Sequence, residues 1–257
     1  MGTVAAMGKV VLVTGAASGI GRATARLLCE RGYRVVAADL RREAVEEAVS
    51  DLGAAVTAVA CDVRSPGDTT AAIQVAEGQF GGLDAVAHVA GVEIDRPVDL
   101  LPEDAWDTVV DTNLKGTYLV CAAAVPALRR RGSGAIVTTG SVLGRVALPG
   151  VTAYGASKAG VEALTRTMAL DYARDGIRVN CIVPGATDTP LMWVGLPPEA
   201  VAETRRRAEG EIPLGRIAAP IEIAHAIAFL LSDEASFITG ASLAVDGGHL
   251  ARSAVSA

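Results

Sequence analysis

Short runs of consecutive apolar residues, rich in valine and isoleucine, alternate along the chain with longer stretches whose apolar positions recur every three to four residues. A continuous apolar run between turn residues predicts a strand buried on both faces, and the longer spacing predicts an amphipathic helix. Strands are expected at residues 9–14 (KVVLVT), 34–39 (RVVAAD), 55–61, 84–89, 135–139 (AIVTT), 177–183 (IRVNCIV) and 242–245. Helices are expected at 19–31, 41–52, 66–79, 102–130, 153–174 and 220–231. Alternation of this kind predicts parallel strands joined by right-handed crossovers, hence an α/β fold with a doubly wound, seven-stranded parallel sheet of the Rossmann type. The rhythm breaks after Pro184, where Pro190, Pro197, Pro198 and Pro213 crowd an irregular section ending near Ile217. Long insertions in compact domains are usually lids or binding loops, so a mobile flap with one or two short helices is expected at about 186–217. No linker, repeat or low-complexity tract divides the chain, and one domain spanning 1–257 is expected.

Composition narrows the chemistry. Hydrophobic residues make up 51% and aromatics 4%, so alanine, valine, leucine and glycine do most of the packing, as closely approaching helix and sheet layers require. A net charge of −6 argues against a nucleic-acid surface, which needs a basic excess. The basic runs Arg41-Arg42, Arg129-Arg130-Arg131 and Arg205-Arg206-Arg207 read as solvated helix ends. No stretch reaches the ~18 to 20 apolar residues of a membrane span, and residues 1–7 lack the features of a secretory signal. Cys29, Cys61, Cys121 and Cys181 are scattered with no close pair, which fits reduced thiols in a cytoplasmic protein better than disulfides or a zinc site. No metal site is expected, since the three histidines form no HxxxH pair.

The first strand runs into Thr14-Gly15-Ala16-Ala17-Ser18-Gly19-Ile20-Gly21, where a helix opens. Glycines there let the backbone approach a pyrophosphate, and a helix N-terminus presents free N–H groups and a positive dipole end. Gly15, Ser18, Gly19, Ile20 and Gly21 are therefore candidates for a dinucleotide cradle. Asp39 closes the second strand, where a carboxylate accepts from ribose hydroxyls and repels a 2′-phosphate, favouring NAD over NADP. Arg41 and Arg42 weigh the other way, since either can swing toward a phosphate.

Tyr154-Gly155-Ala156-Ser157-Lys158 is the most specific signal, with Ser141 thirteen residues upstream of the tyrosine. Positions i and i+4 share a helix face, so the Tyr154 hydroxyl and Lys158 ammonium can enter one cleft. Tyrosine, with a pKa of about 10, is a poor base until a cation about 4 Å away contributes roughly 4 kcal/mol, about three pKa units before desolvation opposes it. Lys158 and the positive charge of an oxidised nicotinamide can supply that field. Ser141, at the carboxyl edge of the sheet, can hydrogen-bond a substrate oxygen as charge develops there. A lone tyrosine at a helix start usually packs, and a lone lysine usually faces solvent. Their conjunction after a dinucleotide turn favours chemistry.

Over residues 9–248 the chain resembles the short-chain dehydrogenase/reductase family: TGAASGIG matches its TGxxxGxG and YGASK its YxxxK. The resemblance implies that Asn113, in NLKG, completes a Ser-Tyr-Lys-Asn tetrad by ordering a water that links Lys158 to a proton relay. It further implies that Asp62 and Val63 contact the adenine, that the backbone at Ala90 and Gly91 lies near the cofactor ribose, and that Pro184, Gly185, Thr187 and Thr189 line the nicotinamide. Where the family usually has NNAG, this chain has His88-Val89-Ala90-Gly91. His88 is read as a bracing residue of the central strands.

By the same resemblance, Val92, Glu93 and Ile94, the stretch from Val142 through Leu143 to Leu148, and Leu191, Met192 and Trp193 of the flap frame the substrate pocket. A mostly apolar lining implies a medium-sized apolar or cyclic alcohol or ketone, with Glu93 and Arg145 as charged exceptions read at the rim and at the surface. The resemblance also implies a homotetramer, to which the small residues Ala156, Ala159, Gly160 and Ala163 would contribute a close-packing helix face. The alternatives are an NADP-dependent 3-oxoacyl-type ketoreductase, which Asp39 opposes, and a catalytically silent dinucleotide sensor, for which a tyrosine base has no use.

Overall fold

In this computed structural model residues 8–252 are described, so the reading of residues 1–7 lies outside them. Seven parallel strands form one sheet in the order β3-β2-β1-β4-β5-β6-β7: β1 (Val10–Thr14), β2 (Arg34–Asp39), β3 (Val56–Ala60), β4 (Ala85–His88), β5 (Gly134–Thr139), β6 (Ile177–Pro184) and β7 (Ser242–Val245). The helices are α1 (Gly19–Glu30), α2 (Arg42–Val49), α3 (Pro66–Phe80), α4 (Glu103–Val110), α5 (Gly116–Arg131), α6 (Thr152–Tyr172), α7 (Pro198–Glu211) and α8 (Pro220–Leu231).

The continuous apolar runs follow from helices on both faces. Every residue of β1 is buried, and its side chains alternate between two core layers. Val11 and Val13 join Val35 and Ala37 of β2 under α1, α2 and α8. Val10, Leu12, Val36 and Ala38 join the opposite layer under α3, α5 and α6. Burying one such aliphatic side chain contributes about 2 kcal/mol, so a polar substitution on either face of β1 is costly. Cys61, Cys121 and Cys181 are buried as free thiols and Cys29 is half-buried.

Strand order reverses between β1 and β4, where the chain leaves toward opposite edges of the sheet. Loops at the carboxyl ends of these two strands diverge and leave a crevice, the usual ligand position in such sheets. In register, Thr14 of β1 stands opposite His88 of β4 at the floor of that crevice.

Two elements differ from the sequence expectation. The long helix expected at 102–130 is α4 and α5 joined through a five-residue π turn, Asp111–Lys115. The flap contains a 3-10 turn, Pro190–Trp193, and then the 14-residue α7, longer than the short helices expected. Pro198 reads as a breaker, but it occupies the first turn of α7, where proline has no N–H to lose and its φ suits a helix. The flap is clamped at its base, since Asp188 N donates to Ala218 O (2.9 Å) and Ala218 N donates to Ala186 O (3.0 Å). Among the described residues no helix is long and apolar enough to cross a membrane.

Candidate active site

The Gly-rich turn is shaped by close backbone approaches. Gly15 has φ +70°, and a Cβ there would lie 2.9 Å from Ala90 N on the opposite wall. A Cβ on Gly21 would stand 2.0 Å from Gly15 O, so only glycine lets α1 start against the turn. Ser18, at the N-cap of α1, makes no side-chain cap bond, which leaves the first-turn N–H groups for an anion. Gly19 faces Thr189 across the crevice. Asp39 lies beside the turn, its Oδ2 accepting from Ala17 N (3.1 Å) and its Oδ1 from Leu40 N (2.8 Å). Arg42 is engaged with Glu46 at 2.7 Å, while Arg41 is exposed. Glycines that a Cβ would close, a free helix N-terminus and a carboxylate at the end of β2 fit a dinucleotide.

Further residues expected at the cofactor fall into place unevenly. Asp62 is held by Arg64 at 2.7 Å, whose guanidinium keeps its carboxyl below the usual range. The Val63 side chain is buried in the core and would clash at 2.8 Å with a Cβ on Gly116, so only its backbone can face the crevice. Gly185 packs where a Cβ would meet Asp246 Cα at 2.8 Å, just beyond Pro184 at the end of β6. Thr187 Oγ1 donates to Gly185 O (2.9 Å), and Thr189 stands at the N-cap position of the flap's 3-10 turn with no side-chain cap bond.

Ser141, Tyr154, Lys158 and Asn113 converge at the other wall, and all four are buried. Ser141 follows β5 and caps a 3-10 turn, its Oγ accepting from Leu143 N (3.1 Å). Tyr154 and Lys158 share one face of α6, with the ammonium 5.5 Å from the ring centroid. Lys158 Nζ donates to Thr139 O (2.9 Å), and burial pulls its pKa down to about 8. Asn113 lies in the π turn. Its Nδ2 donates to Val92 O (2.9 Å) and Ser157 Oγ (3.0 Å), and its Oδ1 accepts from Val92 N (2.8 Å). Gly91 fits between, since a Cβ there would meet Asn113 Oδ1 at 3.2 Å and Lys158 Nζ at 3.4 Å.

The protein's own groups raise Tyr154 well above the usual tyrosine range: burial acts most, the Glu93 carboxyl adds to it, and a hydrogen bond with Ser141 opposes both. Desolvation therefore opposes the field expected from Lys158 and an oxidised nicotinamide.

Around this cluster the expected pocket residues divide. Leu143 packs against Tyr154, with Val92 and Ile94 in the same cluster, and Glu93 is half-buried between them. Val142 instead turns inward against Val161, Cys181 and Val183 at the first position of the 3-10 turn after Ser141. Leu148 is 50% exposed. Met192 and Trp193 are half-buried on the flap, where Trp193 Nε1 donates to Asp188 (2.8 Å) and Arg205 stacks 4.9 Å over the indole. Arg145 points away from Tyr154 to pair with buried Glu162 at 2.6 Å.

Sequence reasoning missed Thr14, Thr139 and Ser157 as supports. Thr14 Oγ1 lies 2.9 Å from His88 Nδ1 and accepts from Val89 N (3.1 Å) and Ala90 N (3.2 Å). Thr139 Oγ1 donates to His88 O (2.8 Å) while its carbonyl receives Lys158. Ser157 Oγ links Asn113 to the carbonyl of Tyr154 (2.7 Å). Its position three residues after Tyr154, on the same helix face, was the available signal.

A turn that fits a dinucleotide on one wall and a buried tyrosine–lysine pair on the other is the layout of an oxidoreductase. The chain belongs to the short-chain dehydrogenase/reductase family, whose members use nicotinamide dinucleotides. Residues 15–249 match the family described as enoyl-(acyl carrier protein) reductase. The chain is 46% identical over 246 residues to cis-4-hydroxycyclohexanecarboxylate dehydrogenase of Sinomonas cyclohexanicum, covering 95% of this chain and 97% of the relative. It is 38% identical over 250 residues to cyclohexanol dehydrogenase of Acinetobacter sp. (strain SE19), covering 95% and 96%. The ligand-free aldohexose dehydrogenase of Thermoplasma acidophilum superposes with a TM-score of 0.88 at 34% identity, over 98% of each chain.

Proposed function

We propose that the protein oxidises a medium-sized apolar or cyclic secondary alcohol to the ketone, with NAD as hydride acceptor. The grouping of Ser141, Tyr154 and Lys158 on the wall opposite the Gly15–Gly21 turn carries this reading. Relatives that act on hydroxylated cyclohexanes support the substrate class.

The Gly-rich turn and the N-terminus of α1 would hold the pyrophosphate, and Asp39 would accept from the ribose hydroxyls while repelling a 2′-phosphate. NAD, when bound, supplies the hydride acceptor and a fixed positive charge beside Tyr154. Ser141 Oγ holds the substrate oxygen, and Tyr154 Oη takes the hydroxyl proton as the carbon gives up its hydride. Burial and Glu93 hold the Tyr154 proton in place, so deprotonation needs positive charge concentrated at the ring. Lys158 supplies part of it, with Thr139 O fixing its ammonium beside the ring. Asn113 holds the Val92 backbone and Ser157, so its role is to position the wall that faces Tyr154. The free thiols support a reducing, cytoplasmic setting. Subunits would pack on the exposed stripe of Ala156, Ala159, Ala163 and Leu170 along α6, giving a homotetramer.

A panel of cyclic alcohols, polyols, hydroxysteroids and 3-hydroxyacyl thioesters with NAD and NADP separately, followed at 340 nm, tests the reading. Turnover with NAD on cyclic alcohols, falling by about 10²-fold or more in Tyr154→Phe, is expected. Unchanged turnover in that variant would remove the tyrosine base. A 3-oxoacyl-(acyl-carrier-protein) reductase of Thermotoga maritima, 38% identical to this chain over 244 residues, favours one further reading, an NADP-dependent 3-oxoacyl ketoreductase. Preference for NADP and the thioester would establish it and overturn the role given to Asp39.

A further inference from the structure

We infer that Glu93, with Asp95 beside it, sets substrate choice in the cleft. It favours neutral cyclic alcohols, above all those with a second hydroxyl, and rejects ring alcohols that bear a carboxylate. This rests on the reading of the cleft as an alcohol-oxidising site and adds the polarity of the substrate's far end.

The loop that contains Glu93 is fixed at both ends. Asn113 holds Val92 through both its N–H and its carbonyl, at 2.8 Å and 2.9 Å. Three residues beyond Glu93, Arg96 N donates to Gly150 O (2.7 Å) and Arg96 O accepts from Thr152 Oγ1 (3.0 Å), the latter on the first turn of α6. Val92 and Ile94 pack into the apolar cluster of Tyr154. Glu93 is thereby held against the start of the helix that bears Tyr154 and Lys158, close enough for its carboxyl to act on both.

Lys158 acts on Glu93, and Arg96 on Asp95, only across a gap. Among the described residues neither Glu93 nor Asp95 enters a salt bridge, and Arg96 Nη1 donates to the Asp95 carbonyl oxygen (2.8 Å). Lys158 is committed to Thr139 O, Arg145 to Glu162 and Arg205 to Asp188. The two carboxyls act on each other, and burial with the Asp95 charge pushes Glu93 up to about 7. Such a pair accepts a hydrogen bond from a hydroxyl and repels an anion. At an effective dielectric of 20, two like charges about 6 Å apart disfavour binding by roughly 100-fold.

The test compares kcat/KM at pH 9, where the Glu93 carboxyl is ionised, for cyclohexanol, 1,4-cyclohexanediol and cis-4-hydroxycyclohexanecarboxylate in wild type, Glu93→Gln and Glu93→Leu. Wild type should prefer cyclohexanol to the carboxylate by roughly 100-fold, and Glu93→Gln should narrow that gap by about 10-fold. The glutamine still accepts from a hydroxyl, so preference for the diol over cyclohexanol should persist in Glu93→Gln and vanish in Glu93→Leu. Cyclohexanecarboxylate should inhibit cyclohexanol oxidation in Glu93→Gln at concentrations that leave wild type unaffected. If wild type oxidises cyclohexanol and takes the carboxylate equally well, or the gap is unchanged in Glu93→Gln, the inference falls while the alcohol reading stands. If no cyclic alcohol is oxidised with NAD by any of the three proteins, the alcohol reading fails and this inference with it.

Discussion

His88 is fully buried at the end of β4, and its protonation state follows from its neighbours. Thr14 Oγ1 already accepts from Val89 N and Ala90 N, so its own hydrogen goes to His88 Nδ1. The ring therefore has its proton on Nε2, which finds no partner among the described residues. A second proton would have to enter at Nδ1, where it would face the Thr14 hydroxyl, in a buried site near the Lys158 ammonium. Burial first, and then the Lys158 charge, push the pKa down to about 3. In the unfolded chain a histidine titrates near 6.5. Below that value the unfolded state takes up a proton that the folded state refuses until about pH 3. Stability from this group is complete above pH 6.5 and is lost as pH falls, at about 1.4 kcal/mol per unit, or about 2 kcal/mol by pH 5. His88→Asn removes the effect, because asparagine does not titrate but its carbonyl can still accept from Thr14. Urea unfolding of both proteins at pH 7.5 and pH 5.0 isolates it, since carboxylates common to both cancel. Wild type should lose about 2 kcal/mol more than the variant between the two pH values, whatever their difference at pH 7.5. Parallel profiles would refute the argument and mean that the folded protein accepts the proton.

Gly21→Ala drives a methyl against Gly15 O and should cost more than about 2 kcal/mol together with NADH binding, read by thermal shift and fluorescence titration. Gly78→Ala, in α3 with nothing within 4 Å of the new methyl, should instead stabilise by about 0.5–1 kcal/mol. Equal effects would show that space does not decide these positions. Arg145→Met leaves Glu162 buried without its counter-charge and should cost about 3 kcal/mol in chemical denaturation. Adding Glu162→Leu should recover most of that loss, and no recovery would mean that Arg145 matters for packing alone.

The fold was largely legible because strands buried on both faces leave unmistakable apolar runs. Residues 34–39, 242–245 and 220–231 fall where β2, β7 and α8 begin and end. The turn at Thr14–Gly21 and the tyrosine–lysine spacing were readable because local geometry alone puts each set together. What escaped depends on contacts distant in sequence or on a single residue of phase. Apolar periodicity cannot resolve one extra residue, so the π turn around Asn113 read as plain helix. Val142 read as pocket lining because its direction is set by the short 3-10 turn. Glu93 and Asp95 lie two apart in an irregular loop, and only the folded loop brings their carboxyls together. The extent of Tyr154 burial, which raises its pKa, is not visible in the local sequence.

The π turn lets one rod serve two walls. Helices α4 and α5 form a continuous run from Glu103 to Arg131, but their apolar stripes look in different directions. Val109 of α4 meets Ala153 and Tyr154, while Val120, Cys121, Ala124 and Leu128 of α5 lie against the sheet. A residue advances the helix by about 100°, so one inserted position acts as a change of gear between the two stripes. Removing it would make the rod more regular and turn Val109 off Tyr154, so the irregularity is the coupling between the scaffold and the reacting wall.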